Sequence, residues 1–222
     1  MQPAESGKGA FITFEGGEGA GKSTQLRALA AHLRSVSVDP VHTREPGGTI
    51  GAEAIRALVL DGTVERWSSA VEALLMTAAR LDHIERLIAP SLAAGRWVLS
   101  DRFADSTRVY QGIAGKTGLE RIDALHDLFL ATACPDLTFV LDLPVDVGLG
   151  RREAAGGGSR FEAKGKPFHE QVRAGFLELA RRSPERFAVI DATAPPEIVA
   201  ARIAAVTLER LASRLPTQPG AT

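Results

Sequence analysis

Short apolar runs along the chain alternate with amphipathic segments, and turn residues separate the two. Ala10 to Phe14 predicts a buried strand and Lys22 to Leu33 a helix. Pro40 to Thr43 predicts a second short strand. Arg44 to Thr49 follows as a loop broken by Pro46-Gly47-Gly48, and a helix runs from about Ala52 to Leu60. Ser68 or Ser69 caps a longer helix through Leu87, with Glu72 as the matching acid of the cap, and Pro90 kinks or ends it. Arg96 to Asp101, Leu137 to Leu143 and Phe187 to Asp191 repeat the form of a buried strand ending near an acid. Strands alternating with helices imply an α/β fold, a parallel sheet covered on both faces. Ligands gather at the carboxyl ends of strands in such sheets, which is where Glu15, Asp101, Asp142 and Asp191 fall.

At 222 residues and 45% hydrophobic, the chain has material for one sizeable core. The expected division is a flexible N-terminus over residues 1–9, one domain over 10–215 and a flexible tail over 216–222. Lys plus Arg number 26 against 27 for Asp plus Glu, so the net charge of −1 offers no footprint for nucleic acid or an anionic membrane. The single cysteine, Cys134, has no disulfide partner and reads as a buried structural thiol. Met1 to Gly9 lacks the apolar core of a signal peptide, and no stretch approaches the ~18 apolar residues of a membrane span. A reducing cytoplasm is the expected setting.

The most specific chemistry lies between the first strand and helix, where Gly16-Gly17-Glu18-Gly19-Ala20-Gly21-Lys22-Ser23 fits G-x-x-x-x-G-K-[ST]. The glycines let backbone N–H groups converge on phosphate oxygens, and the helix N-terminus behind them is an anion site. Lys22 adds a positive charge for the β- and γ-phosphates, and the Ser23 hydroxyl is a ligand for Mg²⁺. Gly16 to Thr24 therefore predict a nucleotide triphosphate site. A second segment, Glu153 to Lys166, holds Gly156-Gly157-Gly158 and the cations Arg160 and Lys164, with Arg151 and Arg152 just before it. Beside a phosphate loop it reads as a mobile lid over about residues 151–168, able to exclude water and offset negative charge.

Three further strings select among phosphate-loop proteins: Thr43-Arg44-Glu45-Pro46-Gly47-Gly48-Thr49 with Arg56, Ala78-Ala79-Arg80, and Asp101-Arg102-Phe103 with Ser106-Thr107 and Tyr110-Gln111. Together with the glycine loop and Ser159-Arg160-Phe161-Glu162, in this order, they resemble bacterial thymidylate kinase from about Phe11 to Pro195. The resemblance implies a three-layer fold with a five-stranded parallel sheet and a homodimer. It also implies transfer of the γ-phosphoryl group of ATP to dTMP with Mg²⁺, giving dTDP and ADP.

By position, Arg44, Arg56 and Arg102 look like the clamp on the acceptor phosphate, a role guanidinium forks suit. Arg80 resembles the residue that bonds thymine, with Thr107 and Gln111 on the base's other polar edge. Tyr110 is similar to the ring under the deoxyribose. Glu18 is similar to the acid near the sugar 3′-hydroxyl, and Asp101 to the acid that positions Mg²⁺. Arg160 looks like the lid arginine bridging donor and acceptor phosphates, and Arg151 like a residue packed on adenine, beside a loop at Asp191 to Pro195. Lys22, Arg102, Arg160 and Glu18 are thus the expected catalytic set. Two departures stand out: Met76 occupies a position where many relatives have phenylalanine, and the lid is poorer in arginine and richer in glycine. A kinase of another nucleoside monophosphate and a catalytically silent nucleotide switch are the alternatives.

Overall fold

The structure is a computed structural model that describes residues 9–130, 133–156 and 160–216. Most of the expected flexible termini, and Gly157, Gly158 and Ser159 of the lid, lie outside the described residues. Five strands, β1 (Phe11–Gly16), β2 (Val41–Arg44), β3 (Val98–Asp101), β4 (Leu137–Asp142) and β5 (Phe187–Asp191), form one parallel sheet in the order β2-β3-β1-β4-β5. Phe14 pairs with Asp101 on one side and with Phe139 on the other, so the glycine loop leaves the sheet at its centre.

β1 is buried along its whole length, which is why it reads as an apolar run without alternation. Ile12 and Phe14 pack with Leu29 and Leu33 of α1 (Lys22–Ser35) and with Val199 and Ile203 near the C-terminus. Phe11, one position out of phase with Ile12, faces the other side with Phe103 and Ile88. Thr13 and Glu15 share that second face by the period of two, and Thr13 bonds Thr138 at 2.8 Å. Val199 and Ile203 belong to Pro196–Arg210, a helix that packs on α1.

The opposite layer starts with α2 (Ile50–Leu60) and α3 (Ser69–His83), which pack on each other. Thr49 caps α2 and Ser68 caps α3. The predicted partner of that second cap is elsewhere: Glu72 is fully buried and turned inward. The helix does not stop at Pro90. A π-helical turn over Ile84–Ile88 leads into α4 (Ala89–Ala93), where Pro90 sits in the first turn and needs no N–H. After β3 comes α5 (Ala104–Thr107), extended by a π-helical stretch over Arg108–Ala114, and then α6 (Leu119–Phe129). The last three helices are α7 (Val145–Ala154), α8 (Gly165–Arg182) and α9, the Pro196–Arg210 helix described above.

Three expectations change on this fold. Cys134 is exposed rather than buried. Asp142 and Asp191 do end strands, but Asp142 pairs with Arg173 at 2.6 Å and Asp191 bonds Thr193 in its own loop. Much of the expected lid is ordinary helix: Arg151 to Ala154 close α7, Gly165 to Phe168 open α8, and Phe161 between them is buried.

Candidate active site

Gly19 and Gly21 shape the loop that follows β1. Gly19 adopts φ +67°, and a Cβ there would lie 2.0 Å from the Gly148 carbonyl oxygen; Gly21, at φ +88°, turns the chain into α1. Lys22, the first residue of α1, is buried. Its Nζ donates to the carbonyls of Gly17 (2.7 Å) and Gly16 (3.2 Å). Burial and then the nearby Arg102 lower its pKa to about 8, with Glu18, Asp101 and Glu15 opposing. The Ser23 hydroxyl bonds the Asp101 carboxylate, which arrives from the end of β3. Two hard oxygen donors thus meet beside the loop. That set suits Mg²⁺ completed by phosphate oxygens and water rather than an all-protein metal cage, and no cluster of three or more His, Cys, Asp or Glu side chains suited to a metal occurs among the described residues.

The backbone reverses sharply after β3, and Arg102 takes φ +71°, an uncommon region for a residue with a side chain. Glu15 holds this reversal, accepting from the Phe103 N–H at 2.8 Å, the Ser106 N–H at 3.2 Å and the Ser106 hydroxyl at 2.6 Å. Its complete burial, with Asp105 nearby, pushes its pKa up to about 7 against the pull of Arg102 and these bonds. The Arg102 guanidinium donates to the Gly16 carbonyl (3.1 Å), the Ser106 hydroxyl (3.2 Å), Glu18 (3.0 Å) and the Tyr110 hydroxyl (3.1 Å). Tyr110 donates in turn to Glu18 at 2.9 Å, closing a triangle. Burial opposes ionisation of Glu18, but Arg102, Lys22 and Tyr110 outweigh it and hold its pKa at about 2.

Arg80 emerges from α3 fully committed on three of its edges: Nε to Glu45 (2.6 Å), Nη1 to the Thr107 hydroxyl (3.0 Å) and Nη2 to the Phe103 carbonyl (3.0 Å). Glu45 also accepts the His83 ring at 2.9 Å. Gln111 donates its amide to Glu72 at 2.9 Å, which leaves its carbonyl oxygen for another partner. Met76 lies one helical turn before Arg80. On the rim, Arg44 pairs with Glu53 at 3.0 Å and Arg56 donates to the Pro46 carbonyl at 2.7 Å.

One cleft of about 730 Å³ joins these parts. Its walls include Glu18 to Thr24, Arg44, Arg56, Met76, Arg80, Asp101, Arg102, Thr107, Tyr110, Gln111 and Arg151. Gly16, Gly17 and Arg160, all expected members, are not part of its walls. For Arg160 the correction is clear: it does not face the cleft. Its guanidinium is buried, donating to the carbonyls of Val59 (2.8 Å) and Val64 (3.0 Å) and to Glu72, which also holds Lys164. Sequence reasoning gave Glu45 no role of its own and took Glu72 for a cap acid, whereas both are buried acids that orient Arg80 and Gln111. The only available signal was their position on segments already rich in matched residues.

The sequence model of the thymidylate kinase family matches residues 14–203. A thymidylate kinase of Caulobacter vibrioides is 57% identical over 92% of this chain and 98% of its own length, and one of Dinoroseobacter shibae is 54% identical over 89% and 95%. The crystal structure of thymidylate kinase from Ehrlichia chaffeensis superposes with a TM-score of 0.73 at 33% identity, covering 90% of this chain and 98% of that one. The family model spans well over half of the chain and these relatives cover most of it at 54–57% identity, so the chain belongs to the thymidylate kinase family.

Proposed function

We propose that this chain, a kinase converting ATP and dTMP to ADP and dTDP, carries out the transfer in this cleft by positioning and electrostatics, with no covalent enzyme intermediate. The observation that carries this reading is the triangle of Glu18, Arg102 and Tyr110. It fixes a charged fork between the phosphate loop and the pocket of Arg80, Thr107 and Gln111.

In this reading the loop from Gly16 to Thr24 holds the triphosphate, Lys22 exchanges its loop carbonyls for the β- and γ-phosphates, and Arg151 lies against the adenine. Arg102, with Arg44 and Arg56, clamps the dTMP phosphate. Arg80, Thr107 and Gln111 address the polar edges of thymine, and Met76 its face. Ser23 and Asp101 would hold Mg²⁺, which supplies charge to the β- and γ-phosphate oxygens. Glu18, ionised throughout the neutral range, accepts from the sugar 3′-hydroxyl. Leu58 of α2 and Val71 and Leu74 of α3 are exposed on helices that pack together, which supports a homodimer through that layer. No helix among the described residues is long and apolar enough to cross a membrane, in keeping with a cytoplasmic enzyme.

A coupled assay of ADP release with ATP, Mg²⁺ and a panel of monophosphates tests the whole reading, with dTMP expected to lead. Preference for a purine monophosphate would overturn the pocket assignment, and ADP release indifferent to the acceptor would favour a nucleotide switch.

Two local predictions follow from the pocket walls. Tyr110→Phe keeps the ring and should preserve discrimination between dTMP and its ribonucleotide counterpart, while Tyr110→Ala should relax it by opening space under the sugar. Equal selectivity in both variants would remove Tyr110 from that role. Met76→Phe should tighten dTMP binding by a few-fold to about tenfold. A base stacked on an aromatic side chain gains about 1 to 3 kcal/mol, against about 0.3 to 1.5 for a thioether, less some overpacking. Calorimetric titration with dTMP, with ATP as control, reads this directly; unchanged or weaker dTMP binding at intact ATP binding counts against it.

A further inference from the structure

We propose that Arg152, and not Arg160, is the arginine that meets the transferring phosphoryl group. The inference rests on the reading of the cleft as the site of phosphoryl transfer and begins from what the two side chains are doing.

Arg160 is spent on structure. Its side chain is fully buried, each of its three nitrogens has an acceptor, and its guanidinium also lies 4.9 Å from the ring of Phe161. Reaching the cleft would mean abandoning two backbone carbonyls and leaving Glu72 short of a cation in a dry interior. What Arg160 does achieve is to tie the segment before α8 to α2 and α3 and to fix Glu72, which in turn holds the Gln111 amide. It is a positioning residue for the base pocket.

Arg152 is placed oppositely. It sits in the last turn of α7, where a cation is favoured by the helix dipole, and it lines the cleft together with Lys22, Ser23 and Arg102. Its side chain is 41% exposed and held only laterally, Nε and Nη2 both donating to one oxygen of Glu162, at 3.1 and 2.6 Å. After Glu162, the charges that act on it are Glu18 and Arg102. These two mark the acceptor side of the glycine loop, the side on which the γ-phosphorus must pass from donor to acceptor. The neighbouring Arg151 lines the same cleft.

As the bond from the γ-phosphorus to its bridging oxygen breaks, a bond to an oxygen of the dTMP phosphate forms, and charge moves onto ADP and the equatorial oxygens. A guanidinium swung from Glu162 onto those oxygens offsets this charge without giving up a proton. Glu162 is its partner in the structure, and the guanidinium leaves that carboxylate as charge builds on the equatorial oxygens. The same residue accounts for a lid poor in arginine: one correctly placed at the end of α7 is sufficient.

Rapid-quench single turnover with ATP, Mg²⁺ and dTMP on the parent, Arg152→Ala, Arg152→Lys and Arg160→Lys tests the assignment, with thermal midpoints and calorimetric affinities measured alongside. Arg152→Ala should lose at least about 100-fold in the transfer rate, with both affinities within about threefold and an unchanged midpoint. Arg152→Lys should recover part of the rate, and ethylguanidinium should rescue the Ala variant. Arg160→Lys should lower the midpoint and weaken dTMP binding. A transfer rate in Arg152→Ala within about threefold of the parent overturns the proposal, as does a loss confined to ATP affinity. A parent that does not phosphorylate dTMP at all would instead sink the reading on which the proposal stands.

Discussion

Lys22→Ala should reduce turnover by on the order of 10²- to 10³-fold or more, because the donor phosphates lose the one ammonium aimed at them from the loop. The folded state should survive with a modest loss of thermal midpoint, since what disappears is a pair of hydrogen bonds to the Gly16 and Gly17 carbonyls rather than a core packing group. The depressed pKa adds a second, independent readout. Burial and Arg102 bring the pKa of the Lys22 ammonium down to about 8, and a bound triphosphate must raise it again. ATP binding therefore takes up a proton above that value, and affinity should fall as the pH rises through 8. Calorimetric titration between pH 6.5 and 9 should show this slope in the parent and lose it in Lys22→Ala. Turnover near that of the parent in the variant would mean that the glycine loop is not the donor site.

The same lysine shows what could and could not be read from residues alone. The strand, glycine loop and helix around it are local in sequence, and each signal needs only neighbours: an apolar run, glycines where φ must be positive, a helical period after them. The Arg80, Arg102 and Tyr110 strings were equally legible as short patterns, and all of them line one cleft. Burial of charge was not legible, because it depends on partners far along the chain. Arg160 meets Glu72 across 88 residues, and Arg80 meets Glu45 across 35. Glu72 sits three positions into a helix after a serine, so the capping rule claimed it. The inward turn of its side chain is set by α2 and the segment carrying Arg160, which no local rule contains. Asp142 failed for the opposite reason: its place at a strand end was right, but Arg173 from α8 neutralises it. Local pattern placed the elements and the phosphate loop; long-range ion pairs decided which charged groups remain free to meet a ligand.

The buried acid of α3 supplies the largest expected effect on stability. Glu72 is fully enclosed and is the shared acceptor of Arg160, Lys164 and Gln111. Lys164 is slightly exposed and can turn toward solvent, but Arg160 is sealed and keeps only its two backbone carbonyls if the carboxylate goes. Removing one partner of a buried pair costs about 3 to 5 kcal/mol. For a domain of this size, each kcal/mol shifts the midpoint by about 2 to 4 °C. Glu72→Ala should therefore lower the thermal midpoint by roughly 6 to 20 °C. It should also weaken dTMP binding more than ATP binding, because the Gln111 amide loses its anchor while the glycine loop is untouched. The double variant Glu72→Met with Arg160→Met separates an unpaired charge from general damage. A buried pair replaced by apolar groups of similar volume is often neutral or better, so the double variant should recover much of the stability lost in the single one. A midpoint within about 2 °C of the parent in Glu72→Ala, or a double variant worse than the sum of its parts, would show that this cluster does not hold α3 to the segment before α8.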